Sequence, residues 1–231
     1  MKSRRAVALY ARTMKPMGTP ALVAAIIGPV QSVLGWVIAG SLWPEYDPVR
    51  QTISDLAAPE SPVNAIMSSF FVLGGTLTIL VGIFGRTFAT PGRVVLVIAG
   101  LCTYGLTIFP TPLVGYSIPH RIFAISSFAL SAGWPLFTMR VRSDAPWIIR
   151  PAAAISMTVF QAVCAVWFLA TWTLPDATNV GVWERAVATQ QSLLMSLTVI
   201  TVYVVEARAR SRIARNNGNV NAIAVNPDKT T

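Results

Sequence analysis

The chain has 231 residues, of which 54% are hydrophobic and 12% charged, and it carries a net charge of +9. Soluble domains hold about a quarter charged residues, so this composition excludes an ordinary soluble fold and points to a membrane protein. The basic excess does not imply nucleic acid, because its placement along the chain follows the rule for membrane topology.

Apolar windows of the length that crosses a ~30 Å hydrocarbon core as a helix recur along the chain. They fall near 20–43, 62–85, 94–113, 121–139, 151–174 and 184–206. The expected fold is therefore all-α: a polytopic transmembrane helical bundle of six membrane-spanning helices. The alternating segments of ~10 residues that mark an outer-membrane barrel do not appear in the pattern. The expected organisation is a basic cytoplasmic N-terminal segment over 1–19, a transmembrane domain over 20–206, and a basic, disordered cytoplasmic tail over 207–231.

The opening "MKSRRAVALYARTMK" has the charge of a signal-peptide n-region. The apolar run after it is too long for an h-region and lacks a small-residue cleavage site, so it reads as a retained first helix. With the N-terminus inside, inner segments hold 15 of the 18 Lys and Arg, and outer segments hold six of the nine acids. This places both termini in the cytoplasm and the protein in the cytoplasmic (inner) membrane. The run "RARSRIAR" after the last helix adds attraction to anionic membrane lipids.

The first outer connection, "EYDPVRQTISDLAAPESP" at residues 45–62, is unusually polar for this chain. Asp47 before Pro48 reads as a helix start, with the carboxylate capping free N–H groups and proline at the first helical position. Val49, Ile53 and Leu56 then form a narrow apolar stripe, which predicts a short interfacial helix over the mouth of the bundle. Ser61-Pro62 repeats the start signal for the second span. Trp43-Pro44, Phe109-Pro110 and Leu174-Pro175 open the three outer connections at spacings of 66 and 65 residues. Three similar hairpins, or simply equal membrane thickness, would both produce this spacing. Cys102 and Cys164 fall inside expected helices and read as packed thiols rather than a disulfide.

"QTISDLAAPESP", a later "FP" with a histidine at an outer helix boundary, and "GVWER" before the last helix resemble a family of prokaryotic membrane proteins, Domain of Unknown Function 998. Thr52-Ile53-Ser54-Asp55-Leu56 is the most specific piece, with Ala57 where glycine is more usual. Pro110, His120 and Glu184-Arg185 match more loosely. The resemblance implies a six-helix membrane protein over about residues 20–206 and no assigned reaction.

The polar residues gather at the outer side. Tyr46, Ser54 and Asp55 come from the first connection, His120 and Arg121 from the second, and Glu184 and Arg185 from the third. Gln191 shares a helix face with Glu184. Two readings stay open for this set. One is an outward-facing site for a lipid headgroup or small polar molecule, on a transport route or not. The other is an ion-pair network of Asp55, Glu184, Arg121 and Arg185 that holds the loops together.

A second polar group lies near mid-bilayer: Gln31 beside Gly28-Pro29, Tyr104 and Gln161. It suits a substrate site at a broken helix or plain interhelical hydrogen bonding. The membrane cores lack ionisable carriers for a proton relay, and one histidine excludes a multi-histidine metal site. No cofactor motif is present. A membrane enzyme acting on a lipid-linked substrate through Ser54 and His120, and a subunit or assembly factor of a membrane complex, stay as alternatives; neither oligomer nor protein partner is indicated.

Overall fold

The structure, a computed structural model, describes residues 15–174 and 178–225, with side chains described as far as Arg215. The helices in chain order are α1 (Thr19–Ser41), α2 (Ile53–Leu56), α3 (Asn64–Phe84), α4 (Thr90–Ile108), α5 (Ile118–Thr138), α6 (Pro151–Thr173) and α7 (Val180–Val225), with a short 3₁₀ turn at Trp147–Ile149 before α6. α1, α4, α5 and α6 each carry a proline in the first turn, where no intrahelical donor is lost.

The six long helices close into a ring. α1 packs on α3, α3 on α4, α4 on α5, α5 on α6, α6 on α7, and α7 returns to α1. Bare backbone permits a close approach of α3 and α4 in this ring. A Cβ on Gly75 of α3 would come within 2.8 Å of the Gly100 carbonyl of α4, and one on Gly100 within 2.6 Å of the Gly75 carbonyl. Small residues at such crossings are how helices pack where no aqueous hydrophobic drive acts between them. The outer surface is apolar: Val23, Ile26, Val30 and Leu34 of α1 and Val159, Val163 and Val166 of α6 are all exposed. Such faces belong against lipid rather than water.

The protein is thus a multi-pass helical membrane bundle, with a correction to the count of spans. Among the described residues, five helices are long and apolar enough to cross a membrane: α1, α3, α4, α6 and α7. The remaining long helix, α5, is of similar length but is interrupted by His120, Arg121, Ser126, Ser127 and Ser131.

Three other expectations change. Residues 207–225 continue α7 as helix instead of forming a structureless tail. Ala207, Arg208, Ala209 and Arg210 are good helix formers, and extending an existing helix needs no new nucleus. Residues 226–231 and the basic segment up to Met14 lie outside the described residues, as do Pro175–Ala177. The helix expected from Asp47 instead starts at Ile53. Asp47 Oδ1 caps a separate turn through the N–H groups of Val49 (2.9 Å) and Arg50 (3.3 Å), and Val49 points away from the core, 46% exposed. α3 begins at Asn64, two residues after Pro62, with Ser61 Oγ accepting from Val63 N–H at 3.2 Å. Cys102 and Cys164 are unpaired thiols, as expected, but only half-buried.

Two apolar clusters brace the ring. One gathers Tyr46, Ile53, Leu56, Val63 and Met67 around the first connection. The other, at the opposite end, gathers Met17, Val81, Phe88, Trp134, Ile149, Val199 and Val202. Between the two clusters the ring is hollow.

Candidate functional site

α2 is the piece on which the site is built. Thr52 caps it by a reciprocal box: Thr52 Oγ1 accepts from Asp55 N–H at 3.1 Å, and Asp55 Oδ2 accepts from Thr52 N–H at 2.7 Å. Four residues cannot hold a helix by themselves, so the fixing comes from α7. Glu184 accepts hydrogen bonds from Ile53 N–H and, at 3.2 Å, from the Ser54 hydroxyl. Arg185, the next residue, donates to the carbonyls of Pro48 (2.7 Å), Gln51 (3.2 Å) and Gly181 (2.7 Å), and to the Tyr46 hydroxyl. Tyr46 in turn donates to the Thr52 carbonyl at 2.8 Å. Burial pushes its phenol above the ordinary range, which keeps it a donor. Adjacent acid and base on α7 thereby grip the donors and the acceptors of one loop.

Ser54, Asp55, His120 and Glu184 do come together. With Thr52 and Thr111 they line a cavity of about 30 Å³, which has room for one or two water molecules. Burial raises the Asp55 carboxyl above its usual range, against the opposing pull of its bonds to Thr52 and of the nearby His120 and Arg185. His120 is 2% exposed, its ring Nδ1 paired with the Phe109 carbonyl at 3.0 Å. The Ser54 hydroxyl serves Glu184, so it makes no nucleophile–base contact with His120 among the described residues.

Other expected members are elsewhere. Arg121 is exposed and lies over the rings of Tyr116 (4.6 Å) and Trp172 (5.3 Å), outside this cavity. Among the described residues, Asp55, Glu184, Arg121 and Arg185 form no ion pair with one another. The loop is held by charged side chains bonded to backbone, because the backbone groups of an irregular loop are the ones that need partners.

Below α2 lies the larger space, a cavity of about 170 Å³ inside the ring. Ile53 is part of its roof, and Leu77, Leu96, Trp134 and Met195 are among the residues at the far side. Its polar wall carries Gln31 and Ser32 of α1, Thr78 of α3, Thr103 of α4, Ser127 and Ser131 of α5, and Gln191 and Ser192 of α7. Gln191 therefore belongs to this chamber and not to the charged mouth. Its Nε2 donates to the Phe128 carbonyl at 3.1 Å.

The remaining mid-bilayer residues divide. Tyr104 is half-buried between α3 and α4, its hydroxyl 2.8 Å from Thr76 Oγ1. Gln161 is fully buried with neither end of its amide hydrogen-bonded, and it lines neither cavity. No group of three or more His, Cys, Asp or Glu with metal-binding geometry occurs among the described residues.

One buried carboxylate escaped the sequence reading. Glu206, further along α7 at the opposite end of the bundle, accepts from Met17 N–H at 2.9 Å and from the Thr87 hydroxyl at 2.6 Å. Its signal was a lone acid in an otherwise basic stretch, and it joins the start of α1 to the α3–α4 connection.

A family model described as "Protein of unknown function (DUF998)" matches residues 26–201, which takes in α2, both cavities and the first part of α7. The chain belongs to the DUF998 family. No curated protein and no solved structure matches it significantly. The DUF998 match stops short of Glu206, so the clamp at the Glu184 end lies inside the matched region and the one at the Glu206 end outside it.

Proposed function

We propose that this DUF998 protein is a binding protein of the cytoplasmic membrane that holds a small molecule in the chamber beneath α2. The observation that carries this reading is the cavity of about 170 Å³ between the helices of the ring. A well-packed bundle leaves few voids larger than a water molecule, and an apolar protein cavity of about 150 Å³ accepts benzene. The charged mouth serves a different purpose in this reading: Glu184, Arg185 and Tyr46 hold α2 in place as a plug, and Asp55 caps it. The positive-inside distribution supports cytoplasmic termini, with α2 and the plug on the outer face. A ligand then enters from outside when α2 lifts, or from the bilayer between helices.

The test is to fill the chamber. Ser192 borders it from α7 and is half-buried. Wild type and Ser192→Leu are purified in mild detergent and compared by native mass spectrometry. A small species bound to wild type and missing from an equally folded Ser192→Leu protein supports the reading. Wild type that is empty when extracted gently from its own membrane, and that gains no thermal stability with any small-molecule probe, overturns it.

A further inference from the structure

The walls of the chamber have a chemistry that narrows what it takes. None of the residues that line it is ionisable, so a charged guest would lose its hydration with no opposite charge to replace it. The polar wall is instead made of amides and hydroxyls. Half of these already have a partner: Thr78 Oγ1 donates to the Gly74 carbonyl at 3.0 Å, Thr103 Oγ1 lies 3.1 Å from Ser127 Oγ, and Gln191 serves Phe128.

Gln31 does not. Among the described residues its amide makes no hydrogen bond, and its Oε1 is fully enclosed. It lies against the bare backbone of Gly74, where a Cβ would come within 3.0 Å of Nε2. Glycine at 74 therefore makes the room in which this amide sits. A buried amide left without a partner is costly, and folded proteins keep few of them.

We propose that the chamber takes an uncharged molecule of about one aromatic ring in size that carries a hydroxyl or amide, and that Gln31 selects for that group. The apolar majority of the wall, with Phe70, Phe71 and Trp134, fits the ring. Gln31 Oε1 is closed off from the chamber as the amide stands, so one polar atom of the amide faces a guest at a time; a guest with an O–H or N–H pairs with whichever atom the amide turns toward it, and a guest with only an ether oxygen pairs with Nε2 alone. This rests on the chamber being a binding site, and the experiment separates the two claims.

The probes are phenol, anisole and benzene, dialysed to equilibrium against the full chain in nanodiscs, with empty nanodiscs giving the lipid baseline. Wild type is expected to bind all three above baseline, with phenol at least ten-fold tighter than anisole. Gln31→Met, close to glutamine in shape, is expected to lose the phenol preference and keep anisole. Equal affinities for phenol and anisole in wild type overturn the selection by Gln31, and that comparison needs no variant to fold. So does a folded Gln31→Met protein that keeps the phenol preference. If none of the probes binds above empty nanodiscs, the chamber is not a site for such guests, and both claims fall together.

Discussion

Glu184 and Glu206 stand 22 residues apart on α7, and each accepts hydrogen bonds from the segment that closes its own end of the bundle. That separation is about six turns or about 33 Å of ideal helix, so both side chains leave nearly the same face. It is also close to the ~30 Å thickness of a bilayer core. One helix thus spans the chamber and fastens a closure at each end. Replacing Glu184 by alanine leaves the Ile53 N–H and Ser54 hydroxyl without their acceptor and is expected to cost about 1–3 kcal/mol. Limited proteolysis should show the 45–62 connection becoming sensitive in Glu184→Ala, less so in Glu184→Gln, and not in Glu206→Ala. Equal protection in all three would mean that Glu184 does not hold α2.

The α3–α4 crossing gives a packing prediction. Gly75→Ala puts a methyl within 2.8 Å of the Gly100 carbonyl and of the Tyr104 ring, and neither can retreat without parting the helices. Overpacking of this kind typically costs about 1–3 kcal/mol. Thermal unfolding in detergent should fall for Gly75→Ala. Gly133→Ala, whose nearest contact is an ordinary 3.7 Å to Phe137, should leave it unchanged.

Asp55 sets a pH dependence whose direction follows from its burial. Its folded carboxyl titrates above the ordinary value, so the folded state binds this proton more tightly than the unfolded state. The associated stabilisation is fully present below the unfolded value of about 3.9 and is lost as pH rises through the folded value. Asp55→Asn keeps an acceptor for Thr52 N–H and removes the charge. Melting temperatures of the two proteins measured upward from pH 4 should diverge, with wild type losing ground to the variant. Parallel curves would mean that the carboxylate is adequately solvated in the small cavity it shares with His120 and Glu184.

The helical bundle was legible because apolar runs of membrane length leave few alternatives, and the family motif fell on a real element, α2. The start of that helix was misread because two capping signals, Asp47-Pro48 and Thr52 with Asp55, compete within nine residues. Only the second has its reciprocal partner three positions on. Gathering Ser54, Asp55, His120 and Glu184 at one end needed topology alone. That Gln191 faces a chamber and Arg121 faces outward needed helix rotation and register, which are set by contacts between distant segments. The chamber itself was invisible, since serine, threonine and glutamine scattered over five helices have no spacing in the chain. Gln31 could be noticed, but its missing partner is a property of the folded ring.

Arg185 and Arg121 are the same residue type near the starts of two helices, and the structure gives them opposite weights. Arg185 is 8% exposed and joins three backbone carbonyls to Tyr46. Arg121 is exposed and touches only ring faces in the contacts described above. Hydrogen bonds to charged groups contribute about 1.5–3 kcal/mol each, while exposed cation–π contacts contribute about 0.5–1 kcal/mol. Arg185→Ala is therefore expected to lower stability by several times the effect of Arg121→Ala, and to loosen the first connection as Glu184→Ala does. Arg185→Lys should rescue little, because one ammonium cannot reproduce the fork that reaches Pro48, Gly181 and Tyr46 together. If denaturation midpoints of the two alanine variants coincide, the loop is held by its apolar contacts through Ile53 and Leu56, and the grip from α7 is incidental.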